Sequence, residues 1–155
     1  MGHAIRLERA AAVPLAVVRR RAGLRELPRI VPEACGIVWG VVKAQRIEGA
    51  GRHVAVYWDD QINLEVGVEL NAPLVEGDFG EVVASATPAG LVVTTTHLGP
   101  YNRLGEAHDA LRAWLQANGH RPAGPVWEIY GHWRDEWNRD PSGITTEVFH
   151  LVAED

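Results

Sequence analysis

"GPVWEIYGHW", residues 124–133, is a run of aromatic and β-branched residues with a carboxylate, Glu128, in its middle. Its centre, "VWEIY" (126–130), overlays an earlier segment, "HVAVY" (53–57), and that overlay decides the fold. Working outward, "LEVGV" (64–68) matches "TEVFH" (146–150), and "PLAVV" (14–18) matches "GLVVT" (90–94). An apolar helical period lies between the first and second members of each set. The pattern is a β-α-β-β unit used twice, repeat one over about 5–75 and repeat two over about 80–152, in a single domain spanning 1–155. The expected fold class is α+β: duplicated βαββ units sharing one antiparallel sheet, with two main helices on one face and a central ligand cleft on the pseudo-twofold axis.

The elements follow from local signals. "VPLAVVRR" (13–20) is β-branched and reads as a strand. Pro32 marks a helix start and Gly49 lies past its end, with Ile37, Val41 and Ala44 on one face beside Val38 and Val42. "HVAVYWDD" (53–60) and "INLEVGVEL" (62–70) form a hairpin turning at Asp59 and Asp60. Strands over 81–87 and 90–98 are separated by Pro88 and Gly90. The second helix is predicted with Asn102 as its cap, Leu104, Leu111 and Leu115 as its stripe, and Gly119 as its stop. Two strands, "PVWEIYGHW" and "ITTEVFHLV", close the chain.

Composition narrows the function classes. The 155 residues are 46% hydrophobic and 23% charged, an ordinary globular balance, with a formal net charge of −5. No basic cluster interleaves with aromatics, which argues against direct nucleic-acid binding. Cys35 is the only cysteine, so no internal disulfide forms and a reducing cytoplasm is expected. The N-terminus carries charges where an export signal needs an apolar core, and no apolar run is long enough for a membrane span. The seven histidines show no metal-ligand spacing, and only His132 falls near the aromatic strand, so neither metal nor cofactor is expected.

The two repeats differ where chemistry is expected. Side chains alternate along a strand, so Glu128 and Tyr130 share one face while Trp127 and Ile129 take the other. In the first repeat the position equivalent to Glu128 is Ala55, while Tyr57 matches Tyr130. An acid added to one half of a symmetric scaffold is what a ligand site requires. The candidate wall is Trp39, Tyr57, Tyr101 and Tyr130, with Trp127 set aside because it faces away. Trp133 and Trp137 lie in "GHWRDEWNRDP" (131–141), a connection that either closes over the cleft or packs locally. The competing account of Glu128 is an ion pair with Arg103 or Arg112, or a place on a wet sheet face. Glu65 and Glu69 are expected on a solvated strand face, the alternative being a ligand in room left above Gly67.

"HLGPYNRLGEAHDALRAWLQANGH", "GPVWEIYGHW" and "ITTEVFHLV" together resemble the GyrI-like small-molecule-binding domain, which also forms the effector-binding half of AraC- and MerR-type multidrug-sensing regulators. The marks are Gly99 and Tyr101 before the second helix, Gly124 and Pro125 after it, and Glu128 and Tyr130 on the next strand. The resemblance implies a cleft that binds hydrophobic, often cationic aromatic compounds, with Glu128 as the pocket acid. No helix-turn-helix is expected ahead of the first strand, so the resemblance is to a stand-alone form. Some stand-alone members hydrolyse strained cyclopropane-bearing genotoxic compounds, which would make Glu128 and Tyr130 catalytic, Glu128 handling water. A third implied role is protein-directed, protecting gyrase. The favoured expectation is binding of an aromatic small molecule, with no direct nucleic-acid or membrane partner.

Overall fold

A computed structural model describes residues 3–59, 63–75 and 77–154. The strands are β1 (Ile5–Ala10), β2 (Pro14–Arg21), β3 (His53–Asp59), β4 (Asn63–Glu69), β5 (Val83–Ala86), β6 (Gly90–Leu98), β7 (Pro122–Tyr130) and β8 (Thr145–Val152). The two long helices are α1 (Leu27–Ala44) and α2 (Leu104–Ala117). All eight strands form one antiparallel sheet in the order β1-β6-β8-β7-β3-β4-β2-β5. The repeats β2-α1-β3-β4 and β6-α2-β7-β8 meet at the central β3–β7 pair, where Tyr57 faces Val126 and Ala55 faces Glu128. The duplicated βαββ architecture is as expected.

The strand β1 was not foreseen, because "IRLERA" alternates weakly and three of its six residues are charged. It is an edge strand, held by pairing with β6 rather than by a buried face. Its placement has a geometric consequence. Six strand spacings of about 4.8 Å put β1 and β2 about 29 Å apart in a flat sheet. Only three residues link Ala10 to Pro14, and they reach about 14 Å at most. The same holds between β5 and β6. The sheet must therefore curl until its edges approach, and the two links meet: Thr87 N donates to Val13 O at 3.0 Å, and Val13 N donates to Thr87 Oγ1 at 2.8 Å.

Curling gives the sheet two different faces. On the inner face Leu15, Val17, Val54, Val56, Val92 and Trp127 are buried with no helix over them, and Trp127 stacks on Phe149 at 5.1 Å. The outer face carries the helices. Ala34, Val38 and Val42 of α1 pack on Ala16, Val18, Val66 and Val68, while Leu104, Leu111 and Leu115 of α2 pack on Val93, Val148 and Val152. Burying a side chain of this size stabilises by roughly 1.5–3 kcal/mol, so these stripes fix each helix to its own repeat.

Several expectations change. Pro32 lies inside α1, and Pro28 occupies the first turn instead, where a missing N–H is harmless. Asn102 does not cap α2, because a 3₁₀ turn over Tyr101–Arg103 precedes it and Arg103 N donates to Pro100 O. Asp59 accepts from Asn63 N and Nδ2, while Asp60, the other half of the expected turn, lies outside the described residues. Glu65 is not on a solvated face: it is buried and bonded to Arg19, Trp58 and Ser85, because the curl turns its side of β4 inward. Glu69 is held by Arg52, which also reaches Glu147 in the other repeat. No described helix is long and apolar enough to cross a membrane.

Candidate functional site

Between α1 and α2, above the β3–β7 pair, lies a cavity of about 800 Å³. Leu27, Val31, Pro32 and Cys35 of α1 form one wall, and Leu104, Gly105 and His108 of α2 the other. Trp39, Tyr57, Tyr101, Glu128, Tyr130 and Trp133, the six residues singled out from the sequence, all line it. Their depths differ. Tyr57 and Glu128 are buried at the floor, whereas Trp39, Tyr101 and Trp133 are 42%, 42% and 51% exposed at the mouth. Tyr101 packs edge-on against Tyr130, with Trp133 beside it, at centroid distances of 5.6 and 6.5 Å. A second depression of about 950 Å³ lies along residues 132–145, but half of its lining residues are charged and most are solvent-facing.

Glu128 organises the floor. Tyr130 donates to its Oε1 at 2.6 Å and Tyr57 to the same oxygen at 3.4 Å. Its Oε2 lies 2.7 Å from His108 Nε2, and His108 Nδ1 lies 2.8 Å from His150 Nε2. Neither Arg103 nor Arg112 pairs with Glu128; they hold Glu106 and Asp109 on the surface of α2. Burial, and then the negative charge of Glu128, push both tyrosine hydroxyls above their ordinary range, so both stay protonated donors. Burial first, then His108 and Arg112, lower His150 to about 3, so this imidazole is neutral. Burial also pushes the Cys35 thiol up to about 11.

The sequence reading missed His108 and His150. Only His132 was expected near the site; it does line the cavity, but at the rim. His108 sits one turn after Leu104 on the buried stripe of α2, and that polar break in an apolar stripe was the available signal. His53 also lines the cavity, its Nδ1 buried and without a hydrogen-bond partner among the described residues, and its ring lies edge-on to Trp39 at 6.0 Å. The 131–141 connection divides its tryptophans: Trp137 is buried under it, and Trp133 remains at the cavity mouth. Gly67 leaves no room for a ligand, since the backbone of Ala16 in β2 fills the space a Cβ would take. Among the described residues no three His, Cys, Asp or Glu side chains converge as metal ligands.

The crystal structure of the EcmrR C-terminal domain superposes over 100% of both chains with a TM-score of 0.77, at 21% identity. The chain has the GyrI-like fold. In a complex of EcmrR with DNA, the GyrI-like fold seen here accounts for 58% of the EcmrR chain, with a TM-score of 0.72. SAV2435 bound to tetraphenylphosphonium shares the GyrI-like fold over 97% of this chain and 94% of its own, with a TM-score of 0.69 and 10% identity. A hydrolase from Listeria innocua does so over 98% and 93%, with a TM-score of 0.61 and 12% identity. No family model and no curated protein matches the chain by sequence.

Proposed function

We propose that the cleft binds hydrophobic, cationic aromatic small molecules, with Glu128 as the electrostatic anchor and Tyr57, Tyr101, Tyr130, Trp39 and Trp133 as the aromatic wall. One observation carries the reading: a buried carboxylate faces an aromatic cavity with hydroxyl and imidazole partners, and no Lys or Arg pairs with it among the described residues. A buried carboxylate with no permanently charged partner is stabilised by a cation that enters. Aromatic faces add about 0.5–2 kcal/mol for each cation–π contact. SAV2435, which has this fold, has a structure bound to tetraphenylphosphonium, a lipophilic aromatic cation. The sole cysteine and the acidic charge suit a cytoplasmic protein that does not contact nucleic acid directly.

Tryptophan fluorescence titration tests the reading, with tetraphenylphosphonium and the neutral triphenylphosphine oxide on wild type and Glu128→Gln. The cation should bind more tightly to wild type, and the variant should lose about 10- to 100-fold of that affinity, or about 1.4–2.8 kcal/mol. Equal affinities for the two probes, unchanged in the variant, would remove Glu128 from the site. A second reading has one observation in its favour. The Glu128–His108 contact is the base-and-orienter arrangement used in general acid–base catalysis, and a hydrolase shares the fold. In that reading Glu128 activates water and Tyr130 assists the leaving oxygen. Mass spectrometry of cyclopropane-bearing compounds after incubation distinguishes turnover from binding.

A further inference from the structure

The polar floor of the cleft continues past the ligand-facing carboxylate into the protein. Glu128 Oε2, His108 and His150 form an unbroken line of short contacts, 2.7 Å and then 2.8 Å, with the two imidazole rings 5.0 Å apart. All three side chains are buried. An imidazole-to-imidazole contact needs one N–H and one lone pair, and His108 must also present its Nε2–H to the carboxylate. With Glu128 ionised and His150 singly protonated, two proton arrangements satisfy the line. In the first, His108 carries both protons, His150 Nε2 accepts, and the proton of His150 sits on Nδ1. In the second, His108 keeps only Nε2–H, and its Nδ1 accepts from His150 Nε2–H.

The two arrangements differ by one proton. Passing from first to second, the His108 Nδ1–H bond breaks as His150 Nε2–H forms, and the proton on His150 Nδ1 leaves to solvent. Neither histidine turns, and no contact is lost. The carboxylate and the His108 imidazolium together are neutral in the first arrangement; the floor carries one negative charge in the second. We propose that His108 is the charge-setting residue of the cleft: it neutralises Glu128 when the cleft is empty or holds a neutral compound, and it releases one proton through His150 when a cation binds.

The surroundings fit this role. From β7 Glu128 contacts His108, and Tyr130 of β7 and Tyr57 of β3 donate to Glu128 as protonated hydroxyls. Cys35 of α1 lies beyond Tyr57 and is a thiol. On α2, Arg112 opposes positive charge on His150 and is itself paired with Asp109. On β6, Val93 is the register partner of His150, and the titratable His97 stands four residues farther along the same strand. On β7, the partner of His150 is Val126, at the end of a register shift whose residues 123 and 124 are exposed. A positive charge is thus accommodated on His108 beside Glu128 and disfavoured on His150.

The inference rests in part on the binding reading above, so the experiment has a ligand-free arm. Imidazole ¹⁵N shifts of the empty wild-type protein, followed from pH 5 to 9, should show His108 protonated at both nitrogens and His150 at Nδ1. In Glu128→Gln, His108 should lose that second proton at a lower pH. In the second arm, tetraphenylphosphonium is titrated calorimetrically in two buffers of different ionisation enthalpy. Up to one proton should be released for each cation bound, and affinity should rise about tenfold per pH unit across the window where His108 is doubly protonated. Triphenylphosphine oxide should release none, and His108→Gln should flatten the pH profile. A singly protonated His108 throughout, or cation binding without proton release inside that window, overturns the proposal. A doubly protonated His108 in a protein that does not bind the cation supports the proton line and overturns the binding reading instead.

Discussion

Tyr57 and Tyr130, at corresponding positions of the two repeats, both donate their hydroxyls to one oxygen, Glu128 Oε1, at 3.4 and 2.6 Å. A symmetric pair of side chains thus serves an asymmetric acid. Tyr130 lies two residues from Glu128 on the same strand, whereas Tyr57 reaches it from the neighbouring strand β3. The shorter bond has the more favourable geometry. Tyr130→Phe should therefore destabilise the fold by about 1.5–3 kcal/mol, the range for a bond to a charged group, and Tyr57→Phe by less than about 1 kcal/mol. Urea unfolding of both variants checks the order; a larger loss in Tyr57→Phe would contradict it.

The aromatic rim should separate binding from stability. Trp39 and Trp133 are about half exposed at the cavity mouth and fill no core. Trp39→Ala and Trp133→Ala should each change unfolding free energy by less than about 1 kcal/mol. Each should weaken tetraphenylphosphonium binding by about 2- to 30-fold, the equivalent of one cation–π contact. Trp137→Ala is the control: it empties a buried site and should cost about 3–5 kcal/mol of stability.

Acid should loosen the protein through His150. Its folded value is lowered to about 3, while an unfolded histidine titrates near 6.5. As pH falls below about 6.5 the unfolded chain takes up a proton that the folded state refuses, so stability declines by up to about 1.4 kcal/mol per pH unit toward pH 3. The urea midpoint should drop between pH 7 and pH 5, and less steeply in His150→Gln. An equal slope in the variant would assign the acid sensitivity to other groups.

Gly67 is required by close approach. A Cβ there would run into the carbonyl of Ala16 across the β2–β4 pair, and backbone cannot swing aside as a flexible side chain can. Gly67→Ala should destabilise by about 1–3 kcal/mol or more, read by thermal or urea unfolding. Gly36→Ala and Gly40→Ala, on α1 with open space around both, should be neutral or stabilising by up to about 1 kcal/mol.

What the sequence alone determined was everything set by local periodicity. Strand alternation put Glu128 and Tyr130 on one face and Trp127 on the other. The apolar stripe of Leu104, Leu111 and Leu115 oriented α2, and the overlay of "HVAVY" on "VWEIY" put Tyr57 at the position equivalent to Tyr130. These relationships need only neighbouring backbone geometry. The partner of Glu128 was decided elsewhere. His108 stands 20 residues away on α2 and His150 on β8, and they converge because the stripe of α2 settles onto Val93, Val148 and Val152. Glu65 likewise reads as an exposed alternate residue until three-residue links, too short for a flat sheet, force the curl that buries it. Alternation assigns a side chain to a face; only the packing of helices and the closure of the sheet decide what that face meets.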